Sequence, residues 1–307
     1  MITKRGAIPL VLVVAGLGLL PATTQGSVPA PATSAESASQ QAALDENWRR
    51  PELEDTIYFE LPNGRVVLEL APDFAPRHSA QIRRLVRAGF FDGGRVVRSQ
   101  DNYVAQWGIR PPREGEQFPA WVTGGLAAEF DRAAGDLPFA PLPDADTYAE
   151  EVGFVRGLPA ARTSSTGRAW VVHCYGVVGV ARDTEPGTGN ASQLYAVTGQ
   201  APRHLDRNLT MVGRVIHGME RLTTLPRGTE ALGFYATDEE MVPIRAARVA
   251  ADVPEAERTT VEVMRTDTEA FREFVAARRQ RTETFFVQSP SAIDVCNLRL
   301  PSRLATP

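Results

Sequence analysis

Apolar and polar residues alternate over 55–61 (DTIYFEL) and again over 64–70 (GRVVLEL), with Pro62, Asn63 and Gly64 at the junction. A period of two turns one face of each segment toward a core, and Asn-Gly tolerates the positive φ of a tight hairpin turn. The period then lengthens. Ile82, Leu85 and Val86 fall at i, i+3 and i+4, with Arg83, Arg84 and Arg87 off the stripe. That spacing predicts a helix opened by Pro76 and stopped at Gly89. Strand character returns at Val96 and Val97 and at 103–107, and Arg98 stands between them. A fixed cation in an apolar strand run is most often an edge charge in water, so its purpose has to come from the rest of the chain.

Residues 109–168 carry Pro, Gly and polar clusters (PPREGEQFPAW, GDLPFAPLPDAD, LPAARTSSTGR). They read as long loops around a short element, LAAEF, at 126–130. Strand patterns resume at 169–181 (AWVVHCYGVVGVA), 192–199 and 210–216, and a short helix is expected around 218–225. In the tail, Thr266 and Glu269 have the spacing of a capping box. Phe271, Phe274 and Val275 follow as an apolar stripe, with Arg272, Arg278, Arg279 and Arg281 on the solvated face. The final SAIDVCNLRLPSR is apolar enough to dock on the main domain.

The first residues read differently. Lys4 and Arg5 precede an apolar run at 7–20, and small residues follow at 22–26. The run is short for a membrane span and reads as an export signal over 1–26, which places the mature protein in a bacterial periplasm with no stable span after cleavage. Residues 27–50 are mostly Ala, Ser, Pro, Thr and Gln and read as a disordered linker. The folded domain is expected over 51–245, with the loop-rich insertion at about 109–168, and a C-terminal extension over 246–307. Hydrophobic content of 43% supports a core, and a net charge of -4 gives no case for nucleic acid. Cys174 and Cys296 are the two cysteines. In an oxidising compartment they are compatible with a disulfide, and equally with two buried thiols.

Two long blocks carry the chemistry. The first is PDFAPRHSAQIRRLVRAGFFDGGRVVRSQDNYVAQWG and the second is GVVGVARDTEPGTGNASQLYAVTGQAPRHLDRNLTMVGRVIHGME. In order and spacing they resemble the cyclophilin-type peptidyl-prolyl isomerases, over roughly residues 55–225. The resemblance implies a mainly β fold: a closed eight-stranded antiparallel barrel capped by two helices, here with a C-terminal helical extension. It also implies a substrate groove on the barrel's outer face. By position, Arg98 matches the family's catalytic arginine and Gln106 its groove glutamine. Tyr103, Val104, Tyr195, Leu205 and Leu209 match the proline pocket, Ala181 and Gln193 match contacts to the residue before proline, and Arg182 stands where the family contacts the peptide backbone.

Several positions depart from the family pattern. Val97 replaces a histidine, Trp107 a glycine, Val104 a methionine, Arg182 an asparagine, and Leu209 a histidine or tyrosine. Other chemistry finds little support. His78, His173, His204 and His217 lack metal-ligand spacing, and EPGTGNAS lacks the Lys-Ser/Thr ending of a phosphate loop. The reading is an exported isomerase that acts as a monomer on proline-containing polypeptides, with no cofactor and no metal. The alternative is a non-catalytic module on the same scaffold that binds proline-containing chains. His204 occupies the position that is tryptophan in cyclosporin-sensitive members, so weak cyclosporin binding is expected; nanomolar inhibition would contradict it.

Overall fold

A computed structural model describes residues 46–305, so the export signal and the linker up to residue 45 lie outside the described residues. Along the chain, β1 (Trp48–Arg49) is followed by the hairpin β2 (Thr56–Leu61) and β3 (Gly64–Leu70), then helix α1 (Pro76–Arg87), β4 (Arg95–Ser99) and β5 (Val104–Gly108). Helix α2 (Ala120–Thr123) leads into β6 (Arg132–Ala133), β7 (Phe139–Pro141), β8 (Glu151–Val155), β9 (Leu158–Thr163) and β10 (Arg168–Val171). Next come β11 (Val177–Val180), β12 (Gln193–Val197), β13 (Met211–His217), helix α3 (Met219–Thr223), β14 (Val242–Pro243) and β15 (Ala246–Val249). The tail holds β16 (Val261–Met264), α4 (Glu269–Arg279) and β17 (Ser302–Leu304).

The main sheet is antiparallel, with strand order β14-β4-β5-β12-β11-β13-β3-β2-β15. Its two ends belong to one stretch of chain. Val242 and Pro243 pair with β4, and Ala246 to Val249 pair with β2. Between them Ile244 donates to Gly94 and Arg245 donates to Glu60. The bent 242–249 segment therefore acts as an eighth strand and closes the barrel, leaving no free edge.

Closure fixes which side chains go inside. Ile57, Phe59, Val66, Leu68, Leu194, Ala196 and Val212 point inward with Ile82 and Leu85 of α1 and Leu222 of α3. The intervening residues point out, and two further sheets cover many of them. The order β1-β16-β17 forms a three-stranded sheet whose Val261 and Val263 bury Tyr58, Val67 and Ile216 of the barrel's outer face. Strand β1 (Trp48–Arg49) lies within the stretch expected as linker. Likewise the closing strand β15 crosses the boundary expected at 245, because the barrel needs residues 246–249 to complete its ring.

The insertion departs most from its sequence reading. Residues 132–171 form a five-stranded antiparallel sheet, β6-β10-β9-β8-β7, while 126–130 adopts no regular element. Its strands are short and interrupted by Pro, Gly and Arg, so no segment shows a long alternation. Their burial comes from packing Phe154, Ala161, Trp170 and Val171 against Val104, Val197 and Met211 of the barrel. The run 169–181 likewise splits: β10 belongs to the insertion sheet and β11 to the barrel, with a turn at Gly176 (φ 82°) between them. In the tail the helix cap is Thr268, whose hydroxyl accepts from the Phe271 N–H, two residues later than the Thr266 box implied.

Cys174, at that turn, is bonded to Cys296, so the tail is tied covalently to the barrel. The bond spans 122 residues, and by the chain-entropy model such a loop contributes about 4–5 kcal/mol. Replacing both cysteines by serine should lower the unfolding free energy from denaturant titration by an amount approaching that value. Identical midpoints for the wild type and the double variant would show that the bridge adds nothing.

Candidate active site

The site begins with a slip in register. Val96 pairs with Trp107, but Arg98 pairs with Gln106, so two residues of β4 face one of β5 across this step. Strict alternation would have set Arg98 opposite Ala105, which faces the core. The bulge at Val97 turns Arg98 outward instead, and Ser99 resumes the inward direction opposite Ala105. Register then extends the row: Gln106 pairs with Tyr195, and Tyr195 with Gly179. Arg98, Gln106 and Tyr195 therefore lie side by side on one outer face of the barrel.

These residues line a cavity of about 490 Å³. Of the residues marked by sequence, Arg98, Tyr103, Val104, Gln106, Ala181 and Arg182 line it. Gln193, Tyr195, Leu205 and Leu209 do so as well. His204 does not. It sits on the helical turn Arg203–Leu205, where Arg203 points inward and Leu205 toward the cavity, leaving the His204 side exposed. Trp107 is also absent from the groove, since alternation sends it into the core against Phe59.

The guanidinium of Arg98 is held firmly. Its Nε donates to the Leu232 carbonyl at 2.6 Å, and a terminal nitrogen donates to the Gln100 side chain. The rings of Tyr103 and Phe234 lie 5.5 Å and 5.3 Å from its central carbon. Two of its five N–H donors are engaged, which leaves three free. Burial lowers its pKa from the ordinary guanidinium value. It remains a cation near neutrality, because that ordinary value lies so far above.

The side-chain amides of Gln106 and Gln193 make no hydrogen bond to the described residues, so both are available to a ligand. Gln193 lies directly over Gly108, where an added Cβ would stand 1.9 Å from its amide nitrogen. Arg182 is committed differently: it donates to the main-chain carbonyls of Asn208, Asp183 and Thr184. It braces the loop at one end of the cavity.

Beneath the cavity runs a buried polar chain. The Tyr195 hydroxyl meets His173 Nε2 at 3.0 Å, and His173 Nδ1 meets Asp206 at 2.9 Å. With Nδ1 protonated toward the carboxylate, Nε2 accepts from the phenol. Arg203 donates to Asp206 at 2.7 Å and to both oxygens of Asp146 at 2.8 Å. The hydroxyl that distinguishes Tyr195 from phenylalanine is thus satisfied from below, and burial pushes its pKa up. Sequence reading missed this chain, because Asp146 and His173 come from segments distant from the turn that carries Arg203 and Asp206. It also missed Gln100, Leu232 and Phe234; the only local sign of the last two was an aromatic pair after Gly233 in an irregular stretch.

A closed antiparallel barrel with an arginine, two glutamines and a tyrosine floor on its outer face defines the class. The family description "Cyclophilin type peptidyl-prolyl cis-trans isomerase/CLD" matches residues 56–249. The chain is 31% identical over 178 residues to a probable peptidyl-prolyl cis-trans isomerase of Brucella suis biovar 1 (strain 1330), covering 58% of this chain and 74% of the relative. A protein of the same description from Brucella melitensis biotype 1 matches at the same identity and coverage. Among solved structures, cyclophilin AquaCyp293 from Hirschia baltica is similar with a TM-score of 0.71 and 27% identity, over 90% of this chain and 98% of that one. The chain belongs to the cyclophilin-type peptidyl-prolyl cis-trans isomerase family. That last likeness extends well beyond the 56–249 core.

Burial alone would raise the Asp146 carboxyl, but hydrogen bonds from Arg203 and the Tyr148 main chain outweigh it and hold the group below its ordinary value of 3.8. A depressed folded pKa means that its stabilising contribution is complete above about pH 4 and is lost as pH falls through the folded value. Asp146→Asn leaves Arg203 paired with Asp206 alone and facing a neutral amide, and a loss of about 1.5–3 kcal/mol is expected at pH 7. Denaturant midpoints against pH for both proteins check this: the gap should be constant above pH 5 and narrow below about pH 4. A gap that persists unchanged into strong acid would refute the ion pair's role.

Proposed function

We propose that this chain catalyses rotation about X-Pro peptide bonds in exported proteins, with Arg98 as the catalytic group. The observation that carries the reading is the free edge of the Arg98 guanidinium, which opens into the same cavity as Gln106, Tyr103 and Tyr195.

The barrier to amide rotation is about 18–20 kcal/mol. It arises from conjugation between the nitrogen lone pair and the carbonyl. In the twisted amide that conjugation is lost, and the prolyl nitrogen regains a localised lone pair. An N–H donor aimed there binds the twisted form better than either planar isomer, which is the condition for catalysis. The proline ring rests on Tyr195, Val104, Leu205 and Leu209, with Tyr103 at its side. The unengaged amides of Gln106 and Gln193 hold the flanking main chain, so that one side of the amide is fixed while the other turns.

Magnitude bounds the role of Arg98. A hydrogen bond to a charged group nets about 1.5–3 kcal/mol, and about 1.36 kcal/mol is a tenfold change in rate. Arg98→Ala should therefore lower kcat/KM about ten- to hundredfold in an assay with a proline-containing tetrapeptide. No group has to change protonation near neutrality, so the wild-type rate should be nearly flat between about pH 6 and 8. A second reading, a binding module without turnover, draws on Val104, Arg182 and Leu209, which alter the cavity wall relative to the family pattern. Equal, near-background rates for wild type and Arg98→Ala would select it.

Export rests on the pattern of residues 1–26 and is supported by the Cys174–Cys296 bond, which suits an oxidising compartment. Mature protein from the native host should begin shortly after residues 22–26 and be recovered with the periplasmic fraction. Recovery in the cytosol with Met1 retained would overturn the placement.

A further inference from the structure

Leu232 and Phe234 line the Arg98 cavity although neither belongs to the resemblance-bearing blocks. They are 64% and 36% exposed, so their apolar side chains are open to a ligand in the cavity. The turn that carries them is nevertheless well anchored. Gly228 donates to the Ser99 carbonyl at 3.0 Å, Tyr235 donates to the Val97 carbonyl at 3.1 Å, and Phe234 bridges to Arg98 across the strand edge. Leu232 itself holds a left-handed backbone at φ 60°, which a leucine rarely adopts. That conformation presents its carbonyl to Arg98 Nε. Gly233 completes the turn at φ 77°, where a Cβ would stand 2.6 Å from Gln100 Cα, so no larger residue fits without displacement. A strained, exposed leucine held against the proposed catalytic group points to function.

Strand order gives its place along the groove. Crossing the outer face, one meets Ala181 after β11, Gln193 and Tyr195 on β12, Gln106 on β5, Arg98 on β4, and then Phe234. In the reading above, Ala181 and Gln193 contact the residue before proline. The residue after proline then emerges on the far side of Arg98, over Leu232 and Phe234. We propose that the 232–234 turn is an apolar subsite for the side chain that follows proline in the substrate. This inference rests on the Arg98 reading for its direction. Because the same turn holds Arg98 Nε, an occupied subsite also steadies the guanidinium.

The test uses the full chain and tetrapeptides Ala-Ala-Pro-Y, with Y phenylalanine, leucine, glycine or glutamate. Cis–trans exchange by NMR reports turnover, and chemical-shift titration reports affinity without requiring turnover. Phenylalanine and leucine should exceed glycine by roughly fivefold in kcat/KM, as expected for partial burial of an apolar side chain. In Leu232→Gly, which accepts the left-handed backbone and keeps the carbonyl, and in Phe234→Ala, that ratio should fall toward one. Equal use of all four peptides by the wild type overturns the subsite while leaving catalysis intact. So does a ratio unchanged in both variants, or a preference for glutamate, which would assign recognition to Arg98 alone. A Y preference in affinity with no exchange keeps the subsite and removes the catalytic reading. No affinity for any peptide removes both.

Discussion

One bulged residue in β4 decides which way the charge of Arg98 points. A closed barrel allows each strand only two directions, inward to a packed core or outward to the groove. Arg98 follows Val96 and Val97, and uninterrupted alternation would direct its charge toward the core beside Ala105. Burying an unpaired guanidinium there costs far more than a strand pairing returns. The extra residue at Val97 removes the conflict. It exposes Arg98, keeps Val96 and Ser99 inside, and aligns the guanidinium with Gln106 and Tyr195 in one cross-strand row.

A bare barrel would leave the outward faces of β5, β12 and β13 in water. Here the insertion sheet packs against Val104, Val197 and Met211 and the tail strand β16 against Ile216, and the cover is held by two different kinds of link. The Cys174–Cys296 bond ties the tail to the β10–β11 turn, and Arg279 of α4 donates to Asp144 of the insertion at 2.7 Å. The polar chain from Asp146 through Arg203, Asp206 and His173 to Tyr195 crosses the same boundary. The floor of the cavity therefore depends on residues outside the barrel. Gly179 belongs to this arrangement: an added Cβ would stand 2.3 Å from the Tyr195 hydroxyl, so the ring can lie flat only over glycine.

The parts of the fold that were legible in sequence are those governed by neighbours. The β2–β3 hairpin follows from alternation around Asn-Gly. Helix α1 follows from Pro76 and the Ile82, Leu85, Val86 stripe. Ten of the eleven residues singled out in the two motif blocks line one cavity, and His204 does not. The insertion was illegible for a physical reason. Its strands have two to six residues broken by turns, and each becomes stable only because Phe154, Trp170 and their neighbours find the barrel's outer face. Leu232 and Phe234 escaped notice because nothing periodic marks a turn that is defined by its docking on β4.

By itself the sequence determined the alternation that makes a barrel wall, the helix that plugs it, and the identities of the groups set along the groove, because those depend on local periodicity and short spacings. Only the tertiary structure decided that Arg98 faces outward with three free donors, that Cys174 meets Cys296, that Tyr195 rests on a buried His173, and that a strained leucine borders the site. Each of these depends on contacts between distant segments, and their distances are set by how the closed sheet brings its strands together.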